Sequence, residues 1–338
     1  MCSLTLHSFL RSRGRSFIAG LLLAFLGLPG CYVGREDLGN VNRPGTSCRA
    51  VTCGEEEQEE EVPIPDGRRV RIAAYNVHRL FDTVCHSDAC GGSNYEELPS
   101  PTSFALRASQ VAGAIASLEA GVVMVEEVES EDALEALRER LPGLPWAVLG
   151  ETGSPGSVDV GVLSAWPITE VRGHRDQVLQ RPDGSTTTFA RELLEVHLNV
   201  EGTRVIVFAA HFKAKSNDDP GRRLAEARAA HAIVTAVAAA YPRALVVLGG
   251  DLNDEPGSPP LEALELDGAL LRVARDRPFG AVWTYSYSGD LQAIDHLLLA
   301  RNAGGVYLPE SFRAVRDSSR GLGGSDHAAV VADFVLTP

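Results

Sequence analysis

From residue 69 to 336, apolar positions fall into short runs separated by glycine, proline and charged residues. Arg69–Val77, Val122–Val128, Gly161–Trp166, Thr203–Phe212, Ala244–Gly249, Ile294–Ala300 and Ala328–Leu336 have the length and composition of strands. Leu193–Val200 alternates, with Leu194, Val196, Leu198 and Val200 on one face and His197 on the other, which reads as exposed. Three segments carry the helical period. They are Phe104–Ala120 with Val111, Ile115 and Leu118; Glu131–Leu141 with Leu134, Leu137 and Leu141; and the alanine-rich Arg222–Tyr241. Pro142-Gly143 and Pro242 stop the second and third. Strands outnumber helices and do not alternate strictly with them. This predicts an α/β (α+β) domain of two packed sheets with helices outside. A dinucleotide-binding fold is disfavoured, because the first strand runs into Ala74-Tyr75-Asn76-Val77-His78 and not into a glycine-rich phosphate loop.

The chain before this domain has a different character. Arg11, Arg13 and Arg15 precede the apolar run Ser16–Leu28, which is too short to span a bilayer comfortably. The run ends in Leu28-Pro29-Gly30-Cys31 and resembles the lipobox of bacterial lipoproteins. That resemblance implies a signal peptide over 1–31, lipidation of Cys31, and an exported protein anchored to a membrane in the periplasm or on the cell surface. Residues 32–66 read as a disordered acidic linker, since Glu55–Glu61 holds six glutamates among seven residues and buries nothing. The domain then spans 67–338. Export favours disulfides. With Cys31 assigned to lipid, the close pairs Cys48–Cys53 and Cys85–Cys90 are the expected bridges. Cys85, His86, Asp88 and Cys90 also read as a metal cluster, but thiolate sites are less natural where thiols oxidise.

Charge narrows the function. The net charge of −14 and pI near 5.1 exclude a basic DNA-coating protein. They do not exclude an enzyme that meets a phosphate through a bound cation, because the ion supplies the missing positive charge. Five apolar runs end in polar residues: Asn76; Glu126-Glu127; His211; Asp251 with Asn253; and Asp326-His327. Asp295 lies in a sixth run. Such oxygen-rich donors suit Mg²⁺, with Mn²⁺ or Ca²⁺ as alternatives, better than Zn²⁺. Carboxylates, a metal and an imidazole together fit attack of water on a phosphorus ester.

These residues lie in motifs: Tyr75-Asn76-Val77, the Glu126-Glu127 run, Ala210-His211-Phe212-Lys213, Gly250-Asp251-Leu252-Asn253, Thr284-Tyr285, Ile294-Asp295-His296 and Ser325-Asp326-His327. In order and content the set resembles the endonuclease/exonuclease/phosphatase (DNase I-like) family. The resemblance implies a four-layered α/β sandwich of two mixed sheets flanked by helices. It implies metal binding by Asn76, Glu127 and Asp326. His327 becomes the catalytic imidazole, oriented by Asp295, while Asp251 and Asn253 hold water and phosphate. His211 would stabilise the transition state and Arg191 would bind substrate. The run from His211 to Lys215, followed by Arg222-Arg223, resembles secreted bacterial nucleases and implies contacts from Lys213, Lys215 and Arg222 to a nucleic-acid backbone. Two positions depart from the family pattern. Glu126 stands where glutamine is common, and alternation with the Glu-Val-Glu pattern favours Glu127 as the metal ligand. His78-Arg79 replaces Glu-Asn. The expected activity is Mg²⁺-dependent phosphodiester hydrolysis on DNA or RNA. One alternative is a sphingomyelinase-like or inositol-polyphosphate phosphatase-like substrate. An inactive binding module is a second alternative, and the complete residue set opposes it.

Overall fold

The computed structural model describes residues 66–337. The expected signal peptide, linker, lipidated Cys31 and Cys48–Cys53 bridge lie outside the described residues. The chain runs β1 (Arg69–Leu80), α1 (Pro101–Ser117), β2 (Val122–Val128), α2 (Glu131–Arg138), β3 (Trp146–Gly150), β4 (Asp159–Ser164), β5 (Ile168–Gly173), β6 (Leu179–Gln180) and β7 (Thr186–Thr187). It continues through β8 (Leu193–Val200), β9 (Thr203–His211), α3 (Pro220–Ala240), β10 (Leu245–Asp251), α4 (Pro259–Leu264), β11 (Leu270–Arg272) and α5 (Phe279–Val282). The remaining strands are β12 (Tyr285–Tyr287), β13 (Asp290–Gln292), β14 (Asp295–Ala300), β15 (Val306–Tyr307), β16 (Arg313–Val315) and β17 (Ala329–Val335). Two helices begin earlier than periodicity predicts, because Ser100 and Asp219 cap α1 and α3 and proline follows each cap.

One sheet has the order β15-β17-β1-β2-β4-β3, with β16 also on β17, and the other β11-β14-β10-β9-β8-β5. Each is mixed. The crossovers through α1 and α3 make β1–β2 and β9–β10 parallel, and β17 and β14 add antiparallel neighbours. Alternation along each strand then builds three apolar layers. Ile72, Ala74 and Met124 meet Val207, Val247 and Leu297 between the sheets. Ala73, Val123 and Val125 pack under Val111, Ile115 and Leu134 of α1 and α2. Phe208, Val246 and Leu248 pack under Ala230, Val234 and Leu261 of α3 and α4. The expected four-layered sandwich is therefore present.

His197 corrects one expectation. It is fully buried, with Nε2 2.5 Å from Glu195 Oε1 and Nδ1 accepting from Arg204 Nη1 at 2.7 Å. The end of α3 covers this face of β8, and the Tyr241 ring stands 5.2 Å from the His197 ring. Burial opposes charge on Glu195, but hydrogen bonds from His174 and His197 and the Arg172 charge hold its carboxyl at about 2.

Two glycines set the spacing beneath the site. A Cβ on Gly249 would lie 2.4 Å from Met124 Cε, so glycine lets the sheets approach there. Gly250 has φ +137°, and its Cβ would lie 1.9 Å from the Ala210 carbonyl oxygen. Backbone strain and a backbone clash act together, so Gly250→Ala should destabilise by on the order of 3 kcal/mol or more. Urea unfolding measures this, and a loss below about 1 kcal/mol would contradict the close approach.

Candidate active site

Strand register gathers the polar residues at one end of both sheets. Asp251 pairs with His211 of β9 and with Asp295 of β14, while Asn76 pairs with Glu126 of β2. Buried Asn76 links the two sheets, its Nδ2 donating to Glu127 Oε1 at 3.2 Å and to Asp251 Oδ2 at 3.1 Å. Asp251 Oδ1 accepts from the Asn253 backbone N–H at 2.9 Å, and Asn253 Nδ2 donates to the Phe212 carbonyl. His211 Nε2 is 3.6 Å from Asp251 Oδ2. His327 Nδ1 lies 2.9 Å from Asp295 Oδ2, and its Nε2 lies 3.9 Å from Asp251 Oδ2 and 4.0 Å from Asp326 Oδ1. The eight expected catalytic and metal residues thus share one cluster.

Residues outside that set hold it in shape. Ser325 Oγ donates to the Asn76 carbonyl at 2.7 Å and accepts from the His327 N–H at 3.0 Å. Thr284 Oγ1 accepts from the backbone N–H groups of Ile294 and Asp295. The Tyr285 ring lies 4.9 Å from the His327 ring. Ser325, Thr284 and Tyr285 stood in recognisable motifs, but their supporting roles were visible only in three dimensions. His78, a departure from the family pattern, places Nδ1 2.9 Å from Asp326 Oδ1.

The neighbouring glutamates correct the reason given for choosing Glu127. Alternation extends the inter-sheet face from Val122 and Met124 to Glu126, not to Glu127. A bulge then intervenes: pairing with β4 slips between Glu126 and Val128, and Glu127 takes φ +65°. Bulges re-aim side chains at strand ends. Here the bulge turns Glu127 toward Asn76 and the Arg79 N–H, which donates to Glu127 Oε2 at 3.0 Å. Glu126 is left fully buried with neither carboxylate oxygen hydrogen-bonded. Burial, and then Asp295 and Asp251, raise its carboxyl well above the ordinary range, which favours the protonated form.

The other ionisable groups divide by environment. Burial and the Asp295 charge push Asp251 up. Burial opposes charge on His327, but Asp295, with Asp251 and Asp326, outweighs it and raises the imidazolium to about 10. Burial and the Arg191 charge hold His211 well below its ordinary value, so its ring is neutral. His296 is buried, bonds the Asp254 carbonyl at 2.9 Å through Nε2, and is lowered to about 4 by burial. Its neutral form is the one the fold favours. That stability is complete above pH ~6.5 and fades as the pH falls toward 4, by on the order of 3 kcal/mol. His296→Gln keeps a donor but removes the proton site, so unfolding measured across pH 4–7 should lose that part of its slope. An unchanged slope would rule out His296 as its source.

The expected phosphate contacts are placed unequally. Arg191 lies beside His211 and donates to the Phe212 carbonyl at 3.4 Å. Lys215 Nζ is 3.9 Å from Asp254. Lys213 and Arg222 are engaged within the chain. The Lys213 ammonium donates to the carbonyls of Ala214 and Ser216, and the Arg222 guanidinium to those of Thr188 and Phe189. Their donors tie loops together. The Cys85–Cys90 bridge is formed in the loop after β1.

Glu127, Asp326 and Asn76 offer hard oxygen donors, with His78 Nδ1 2.9 Å from Asp326 Oδ1. This donor chemistry fits a divalent ion. With a carboxylate-backed imidazole beside it, the cluster defines a metal-dependent phosphoester-hydrolase site. The endonuclease/exonuclease/phosphatase family model matches residues 73–327, and the chain belongs to that family of phosphoester hydrolases. Solved structures share the fold. A Bacteroides vulgatus endonuclease/exonuclease/phosphatase is 15% identical over 80% of this chain and 100% of its own, with a TM-score of 0.59. TDP2 from Caenorhabditis elegans is 16% identical over 79% and 75%, with a TM-score of 0.55. D. rerio TDP2 in complex with a single-strand DNA product is 14% identical over 79% and 98%, with a TM-score of 0.54. None of the curated proteins compared with the chain matches it.

Proposed function

We propose that this hydrolase is a Mg²⁺-dependent nuclease, exported and held at a membrane by lipidated Cys31. The observation that carries the substrate class is the rim beside Glu127. There the Arg79 guanidinium lies 4.9 Å over the ring of half-exposed Tyr95, and the Arg79 backbone N–H holds Glu127. A cation and an aromatic face together suit a phosphate with its neighbouring base. The D. rerio TDP2 complex with a single-strand DNA product, on the same fold, supports the same substrate class.

Glu127, Asp326 and Asn76 would hold the ion, which supplies positive charge at the phosphate oxygens. The raised Asp251 carboxyl accepts the proton of the attacking water, and its shift brings it closer to neutral pH, where a general base works best. The His327 imidazolium, aligned by Asp295, donates from Nε2 toward the phosphoryl oxygen as charge develops there. Neutral His211 adds a second imidazole at Asp251.

The −14 charge and the engagement of Lys213 and Arg222 favour a second reading, a lipid or small phosphoester as substrate. Hydrolysis of plasmid, linear DNA, RNA, sphingomyelin and inositol phosphates with Mg²⁺, beside an Asp251→Ala control, separates the two. Nucleic-acid cleavage that Asp251→Ala removes supports the nuclease. Turnover confined to sphingomyelin or inositol phosphates overturns it. Release from membranes by Cys31→Ser tests the anchor.

A further inference from the structure

A second polar cluster lies outside the active site, where the chain leaves β1 and β2. Asp82 comes two residues after β1 and Glu129 one residue after β2, while exposed His86 sits inside the Cys85–Cys90 loop. One oxygen from each carboxylate and one nitrogen of His86 lie within 4.8 Å of one another. His86 Nε2 is 3.2 Å from Asp82 Oδ2. Both carboxylates are buried, with 3% and 6% of their residues exposed. Glu96 and Asp159 are buried nearby, and among the described residues no lysine or arginine pairs with any of these four acids.

The local hydrogen bonds leave one atom over. Asp82 Oδ1 accepts from the Val84 N–H, and Oδ2 from Ser130 Oγ. Glu129 Oε2 accepts from the Asp82 N–H at 2.7 Å. Glu129 Oε1 is buried and accepts nothing. An ion pair between His86 and Asp82 accounts for those two side chains but leaves Glu129 against the buried Glu96 carboxyl with its Oε1 accepting nothing, and two such acids side by side need a proton or a cation between them. A cavity of about 260 Å³ opens beside it, lined by His86, Glu129, Ser130, Glu151 and Asp159. That space gives an ion a path in and room for water ligands.

We propose that Asp82, His86 and Glu129 form a second divalent-cation site, separate from the catalytic one, that takes a transition ion such as Mn²⁺ or Zn²⁺. Two carboxylates and an imidazole are the donors such ions accept, whereas Ca²⁺ and Mg²⁺ favour all-oxygen sites. The ion would fasten the disulfide loop to the ends of β1 and β2, the strands that carry Asn76 and Glu127.

The test uses chelator-stripped protein carrying Glu127→Gln, which weakens the active-site position, titrated with Mn²⁺ or Zn²⁺. Equilibrium dialysis should find one tight equivalent. Tm should rise by about 5 °C at a hundredfold excess over Kd, with no such rise in Ca²⁺ or Mg²⁺. Adding His86→Ala, a change at an exposed side chain, should weaken binding by about 10-fold or more, and adding the near-isosteric Glu129→Gln should abolish it. No metal-dependent rise, a rise that either second substitution leaves intact, or an equal rise in Ca²⁺ overturns the proposal. None of these readouts depends on turnover, so they fail or succeed apart from the nuclease assignment.

Discussion

Replacing His327 by alanine should lower turnover by about 10²–10⁴-fold, the range for losing a positioned acid or base. The geometry gives the reason. Asp295 binds Nδ1 at 2.9 Å, which fixes the tautomer and leaves Nε2 facing Asp251 and Asp326. Burial alone would strip the charge from His327, but Asp295 keeps it, with its pKa raised to about 10. The imidazolium is thus available throughout the neutral range. Its stabilising contribution is complete below pH ~6.5, the unfolded value, and is lost as the pH climbs toward 10. Asp295→Asn keeps a group beside the ring but withdraws the charge, so activity should fall and its alkaline limit should move to lower pH. The double variant should be little worse than the poorer single one, since the two residues act as a unit. Steady-state kcat across pH 5–10 for the four proteins checks this. If the two losses multiply, or if Asp295→Asn turns over like wild type, Asp295 is a packed carboxylate with no part in proton handling.

The site was legible because each of its residues ends or opens an apolar run, and strand ends on rigid sheets are where a preorganised site is best built. What stayed hidden depends on pairing or on distant cover. The bulge at Glu127 is a register slip against β4, and no spacing along β2 alone announces it. His197 reads as exposed until α3, far along the chain, lays Tyr241 over its face of the sheet. Edge strand β5 carries Thr169, Glu170 and Arg172 and alternates between half-buried and exposed, so it lacks the apolar signature of the central strands. Counting positive charges after β9 identifies Lys213 and Arg222 but does not show which loop carbonyls accept their hydrogen bonds. The second cluster escaped for a similar reason. Cys85 and Cys90 drew attention as ligands, yet they pair with each other, and the buried carboxylates come from strand ends 47 positions apart in sequence.

The adjacent glutamates should respond in opposite ways. Glu127→Gln removes an anionic oxygen from the group formed with Asn76 and Asp326, and a carboxamide is a weaker ligand for a hard ion. The Mg²⁺ needed for half-maximal activity should rise by at least about 10-fold, and turnover at limiting Mg²⁺ should fall by about 10². Excess Mg²⁺ should recover much of the loss. Burial between the sheets favours the protonated form of Glu126, so Glu126→Gln puts a neutral group of nearly the same shape in its place. Activity should stay within about threefold of wild type, since no charge leaves the site. Stability should change more than activity. Because the folded state raises the Glu126 carboxyl, the wild-type fold is favoured while that group is protonated and loses stability as the pH rises above the ordinary carboxyl range. Glutamine has no proton to lose, so the variant should be the more stable protein at neutral pH, with the advantage shrinking toward pH 4.5. Urea unfolding at pH 5 and pH 8, beside a Mg²⁺ titration of activity, reads both effects. A Glu126→Gln protein that needs more Mg²⁺, paired with a Glu127→Gln protein that does not, would exchange the two assignments. Glu126, and not Glu127, would then be the metal ligand.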